Sequence, residues 1–141
     1  PQLLCKKCTY DDCESYAQAI LYSNESTSKC VPGANQTKNL LQNLIDGDAD
    51  FEEFRIENYQ IAHIKYDECI GCTICIKVCP VDAIVGARHM IHKVLETQCN
   101  GCELCIKECP VNCMSMIENQ SQRLWSWPSQ ISEQSKKNYY Q

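Results

Sequence analysis

Two stretches of this 141-residue chain carry the same thiol spacing, CIGCTICIKVCP from Cys69 to Pro80 and CNGCELCIKECP from Cys99 to Pro110. C-x2-C-x2-C-x3-C-P is not the spacing of a structural zinc site, which uses two close pairs separated by a longer loop. Three thiolates at intervals of three, with a fourth supplied from elsewhere, suit three corners of an iron–sulfur cubane and one outside contact. A third knot, CKKCTYDDC from Cys5 to Cys13, continues to Cys30 as C-x2-C-x4-C-x16-C. Four thiolates so placed could hold a 4Fe–4S cluster or a tetrahedral zinc ion, and spacing leaves both open.

The two longer motifs are copies of one unit. Residues 69–84 and 99–114 align without gaps at a period of 30 and match at 9 of 16 positions, so the region reads as two similar halves. In such doubled runs the fourth cysteine of each copy ligates the cluster of the other. The ligand sets that follow are Cys69, Cys72, Cys75 and Cys109 for one 4Fe–4S cluster, and Cys79, Cys99, Cys102 and Cys105 for a second. Gly71 and Gly101 allow backbone conformations closed to other residues, and Pro80 and Pro110 stiffen the chain after the crossing ligand. Ile70, Ile74, Ile76, Val81, Ile84, Leu104, Ile106, Val111 and Met114 are expected to form the apolar shell. Cys113, opposite Ala83 in the repeat, is expected to be a small buried side chain. His63, His89 and His92 fall on expected strands and receive no metal role, since the ligand sets are complete without them.

These motifs need few elements to position them. A short helix is expected after Glu14 through Leu21, leaving at Asn24, and a second from Thr37, with Leu40, Leu41, Leu44 and Ile45 on one face and Gly47 as its stop. Both would wrap the first thiol knot. Strands are expected at Ile61–Tyr66 and His89–Leu95. The expected fold class is α+β. A small helical four-cysteine cluster-binding domain spans 1–45, and an acidic linker spans 46–58. A double 4Fe–4S bacterial ferredoxin-like βαββαβ domain spans 59–118. A polar, disordered tail spans 119–141, with Trp125 and Trp127 as its local anchors.

Composition narrows the function classes. A net charge of −5 and a pI near 5.1 provide no basic stripe for nucleic acid. Thirteen cysteines, an odd number, fit a reducing compartment better than a closed disulfide framework. No apolar run approaches the ~20 residues that cross a bilayer. No phosphate-binding Gly-rich loop, nucleophile triad or paired catalytic carboxylates appear, which leaves one-electron transfer as the expected chemistry.

The four-cysteine unit, the acidic stretch and a double motif containing CPVDAIVGARHMIHKVL together resemble the iron–sulfur B subunit of Rnf-type ion-translocating electron transport complexes, over residues 1 to about 118. The resemblance implies a third 4Fe–4S cluster, on Cys5, Cys8, Cys13 and Cys30. It also implies an electron-relay component without a catalytic site of its own, partnered by the other subunits of a membrane complex. The expected place is the cytoplasmic side of the bacterial inner membrane. Attachment would come through an upstream anchor absent from this chain, which starts at Pro1, or through partners. Supplying reductant to a redox-sensing transcription regulator, or serving as a soluble poly-cluster ferredoxin, are the alternative roles. The chain departs from the family pattern where glycines usually follow the first two cysteines and a Pro-Gly pair precedes the third. Those places hold Lys6, Thr9, Asp11 and Asp12, so the first cluster is expected to be the least robust.

Overall fold

The computed structural model describes residues 1–48, 54–56, 59–119 and 125–141. In the first unit, α1 (Cys13–Ser23) starts where the Asp12 carboxylate accepts the Ser15 N–H at 2.7 Å, and ends at Asn24 in the left-handed conformation. The second helix, α2 (Ala34–Ile45), begins three residues before the expected Thr37, with Gly47 at φ +84° just past its end. The apolar residues of α2 do not reach a closed core. Leu44 and Ile45 are about half exposed, while Leu40, Leu41 and Leu44 face α1 across an open groove that also holds Cys13 and Cys30.

From 60 to 118 the elements run β2 (Gln60–Ile64), α3 (Ile74–Val78), β3 (Ile84–Val85), β4 (Lys93–Val94), α4 (Leu104–Lys107) and β5 (Met114–Glu118). The outer strands β2 and β5 pair antiparallel, with Ala62 opposite Met116, and the inner strands β3 and β4 pair with Ile84 opposite Val94. Helices α3 and α4 pack on each other. Ile61, Ile64, Val81, Ala83, Ile84, Val94 and Met114 form the core together with Cys75, Cys99, Cys105 and Cys113. Thiols therefore occupy the interior that large aromatic side chains fill in other domains of this size.

The 30-residue repeat is written into the backbone. Gly71 and Gly101 have φ of +67° and +73°, Thr73 and Glu103 of +64° and +66°, and Asp82 and Asn112 both of +52°. At Gly101 a Cβ would lie 2.4 Å from the Gln60 carbonyl oxygen, and at Gly71 2.5 Å from the Met90 amide nitrogen. Gln60 and Met90 are themselves one period apart. Each half thus lays the strand-side segment of the other against its glycine, too close for any side chain.

Four expectations need correction. The tail is ordered over its described part: β6 (Trp125–Trp127) is followed by α5 (Gln130–Tyr139), which opens with a Ser129–Ser132 capping box. The acidic linker contains β1 (Phe54–Ile56), which pairs antiparallel with β6 in the register Arg55 to Ser126, while 49–53 and 57–58 lie outside the described residues. The strand expected over 89–95 shrinks to Lys93–Val94, because the His89 N–H donates to the Gly71 carbonyl at 2.9 Å and folds 87–90 into a turn. His89 and His92 accordingly lie outside strands, and only His63 sits in one, β2. Ile70, expected in the apolar shell, is 55% exposed.

Candidate metal centres

The core of the repeat contains two cavities, each lined by thiols from both copies. One is lined by Cys69, Cys72, Cys75 and Cys109, with Cys113, His92, Ile64 and Met114 around them. The other is lined by Cys79, Cys99, Cys102 and Cys105, with Ala62, Val81 and Ala83. The fold brings the fourth cysteine of each motif to the three of the other. Each starts from the end of a short helix: Cys79 follows α3, and Cys109 lies two residues beyond α4.

Backbone amides turn inward onto the sulfurs. Ala62 N–H donates to Cys99 Sγ at 3.4 Å, and Ala83 N–H donates to Cys79 Sγ at 3.3 Å. Apolar burial works against a bare thiolate. It pushes Cys75 up to about 11 and Cys102 up to about 12, and it raises Cys105 further and Cys79 as well. Such thiols hold their protons until a cation arrives, so metal loading would release them. Cys109 is the exception. Burial opposes its ionisation, but the N–H groups of Val111, Cys113 and Asn112 outweigh that and hold it below an ordinary thiol. Cys113, buried and 3.5 Å away from it, is pushed up to about 12 by burial and by Cys109. Of that pair Cys109 is the more readily ionised.

In the first unit the other three cysteines all lie within electrostatic range of Cys5. Cys5 feels Cys30 and Cys8, and Cys13, which burial pushes up to about 11, feels Cys5 and Cys30. Among the described residues no three His, Cys, Asp or Glu side chains converge as closely as a single bound ion requires. The thiols of both cavities surround a space, as ligands on the corners of a cubane must.

The first unit is not detached from the repeat. Leu3, Cys5, Cys102 and Trp125 form one buried cluster, with Ile56, Tyr59 and Leu104 against it. Asn100 Nδ2 donates to the Leu3 carbonyl at 3.0 Å, and Lys7 pairs with Glu103 at 3.0 Å. Trp125 Nε1 donates to the Pro1 carbonyl at 3.0 Å, and the Tyr139 hydroxyl of α5 donates to the Asp11 carbonyl at 2.6 Å. The Cys5 site therefore abuts the cavity of Cys102.

Comparison with known proteins follows this division. The model of the 4Fe–4S dicluster domain matches residues 62–116, and that of a putative Fe–S cluster matches residues 1–32. The B subunit of the ion-translocating oxidoreductase complex of Hahella chejuensis is 49% identical over 131 residues, covering 90% of this chain and 66% of its own length. The proteins of the same name from Pseudomonas aeruginosa (strain UCBPP-PA14) and Shewanella sp. (strain ANA-3) are 47% and 46% identical over 130 residues. They cover 91% and 90% of this chain, and 69% and 67% of their own lengths. The chain belongs to the family of ion-translocating oxidoreductase complex B subunits. It spans about two thirds of the length of these relatives, and no helix among its described residues is long and apolar enough to cross a membrane.

Against the glycines that the family resemblance implies after the first two cysteines, this member places Lys6 at φ +57° and Thr9 at φ +74°. The backbone keeps the left-handed conformation although the residues that adopt it freely are gone. Asp12 has a use of its own as the cap of α1. The signal that sequence reasoning missed concerns His92. It is 1% exposed, and its Nδ1 lies 3.2 Å from Cys75 Sγ. Only its place in the repeat, opposite Ala62, could have drawn attention to it.

Proposed function

We propose that this family member holds three 4Fe–4S clusters, on Cys5, Cys8, Cys13 and Cys30, on Cys69, Cys72, Cys75 and Cys109, and on Cys79, Cys99, Cys102 and Cys105. The chain is an electron-transfer component of a membrane-associated complex that couples electron transfer to ion translocation, with the other subunits as partners. Its place is the cytoplasmic side of the bacterial inner membrane, and residues 59–118 are the ferredoxin-like βαββαβ unit. The observation that carries this reading is the crossing of Cys79 and Cys109, which rings each cavity with four thiols from two motifs. Bound iron–sulfur clusters supply one-electron transfer.

The chain's own residues do the rest. Cys102 sits against Cys5, and Cys105 lies within electrostatic range of Cys75, so the three ligand sets form a row with the Cys79 set in the middle. Val81, Ala83, Ile84 and Met114 exclude water from the two inner cavities, which strengthens every N–H donation to sulfur.

Anaerobic reconstitution of the full chain tests the reading. The expected result is on the order of twelve irons and as many sulfides per chain, four of each per cluster. Cys13→Ser is expected to lower that number without disturbing the ferredoxin-type signals. Zinc in place of iron in the first unit, or an iron content that Cys13→Ser leaves unchanged, refutes the third cluster.

A further inference from the structure

The two cavities are equivalent by the repeat, yet two side chains break the equivalence, Cys113 where the other half has Ala83 and His92 where it has Ala62. Ala62 and His92 are one period apart. Ala62 lines the cavity of Cys79, Cys99, Cys102 and Cys105, while His92 lines that of Cys69, Cys72, Cys75 and Cys109. An imidazole thus stands in one half where a methyl group stands in the other.

The ring is held firmly. His92 is 1% exposed, and a Cβ on Gly86 would lie 2.3 Å from its Cδ2, so that glycine makes the room the imidazole occupies. Its Nδ1 lies 3.2 Å from Cys75 Sγ, within reach of an N–H to sulfur hydrogen bond. Its Nε2 is buried without a partner among the described residues. A ligating thiolate has no proton to give, so this contact closes only when Nδ1 carries the proton and donates it, leaving Nε2 as a bare lone pair. That arrangement costs less than a buried N–H with no acceptor.

A hydrogen bond to a cluster sulfur stabilises the added negative charge of the reduced state and raises the potential. We propose that His92, acting through Cys75, raises the potential of the Cys69, Cys72, Cys75 and Cys109 site through a side-chain donor that its twin lacks. The proposal rests on the cluster assignment of the preceding subsection. It goes beyond it by assigning a tuning residue to one of two sites that the motif alone leaves equal.

The test is a redox titration of the reconstituted full chain followed by electron paramagnetic resonance, comparing the native chain with His92→Leu and His92→Gln. His92→Leu is expected to lower one ferredoxin-type midpoint and leave the other in place, with the amide donor of His92→Gln placing that midpoint between leucine and native. Midpoints that stay fixed, or that move together, overturn the role of His92 while leaving the clusters assigned. A native chain that takes up no clusters overturns both. Should His92→Leu fail to load iron, the native chain labelled with 15N-histidine decides. A nitrogen coupling at one reduced cluster supports the proposal, and its absence at both refutes it.

Discussion

Replacing Thr9 with glycine should make this protein more stable, against the usual direction of point mutations. Thr9 sits at φ +74°, and its N–H donates to the Lys6 carbonyl at 3.1 Å in the turn that carries Cys5 and Cys8. A residue with a Cβ in the left-handed region costs ~1–2 kcal/mol. Branching at Cβ makes Thr a poor occupant of that region. The side chain is exposed, so its removal forfeits no core packing, and glycine keeps the turn's hydrogen bond. Against the relief stands the greater freedom of glycine in the unfolded chain, roughly 0.5–1 kcal/mol. The balance is a gain of about 0.5–1 kcal/mol, or an upward shift of about 1–4 °C in a chain of this size. Thermal denaturation of the full chain without oxygen reads the shift, and the decay of cluster absorbance in air reads whether the first site shares it. Thr9→Ala is the control, because alanine loses the branching but retains the Cβ and should gain less than glycine. A Thr9→Gly chain no more stable than the native one, or matched by Thr9→Ala, would refute the assignment of strain to this position.

Gly101→Ala should cost about 3 kcal/mol, adding left-handed strain to the displacement of a backbone carbonyl 2.4 Å from the new Cβ. Gly47→Ala, at φ +84° with nothing within 4 Å, should cost only about 1 kcal/mol. Denaturant midpoints separate the two, and equal costs would remove close approach as the reason for Gly101. Asp12→Ala should cost about 1 kcal/mol at neutral pH through the lost cap of α1. The Ser15 N–H is the chief cause holding the Asp12 carboxyl below its usual range. Its contribution is therefore full above the unfolded value near ~4 and is lost as pH falls through the lower folded value. The gap between native and Asp12→Ala should close on acidification, and a gap constant from neutral to acid pH contradicts the capping account.

The residues that place thiols around the two cavities were legible in the sequence because their constraint is local and repeated. Spacing by three puts cysteines on one side of a tight turn, and glycine before the second cysteine marks where the other half must approach closely. The tail was not legible, for a physical reason. The buried face of α5 consists of Ser132 and Ser135, whose hydroxyls turn back to the carbonyls of Ser129 and Ile131, while its large apolar residue Ile131 is 44% exposed. A helix that packs through small polar residues leaves no apolar periodicity to read. The pairing of β1 with β6 escapes for a different reason, since FRI and WSW each alternate over only three residues, too few to read as strands within an acidic and a polar segment some seventy residues apart. His92 shows a third limit. Histidine at that position is compatible with a core side chain, a surface turn or a ligand, and only the distance to Cys75 separates these.

The long-range polar contacts converge on one seam. Asn100 to Leu3, Lys7 to Glu103, Trp125 to Pro1 and Tyr139 to Asp11 all tie the first unit or the tail to one another or to the Cys102 half. The Lys7–Glu103 pair is partly exposed and is worth less than about 1 kcal/mol. The energy of the seam lies instead in Trp125, 2% exposed against Leu3, Cys5 and Cys102, where truncation of so large a side chain costs ~3–5 kcal/mol. A relay needs its sites at fixed separation more than it needs each to be strongly bound, and this seam fixes the Cys5 set beside the middle of the row. It also explains how residues with a Cβ are kept at the left-handed positions 6 and 9. Strain of about one or two kcal/mol in a turn persists when the surroundings over-determine it, and here the turn is held from both sides by groups that sequence proximity does not provide.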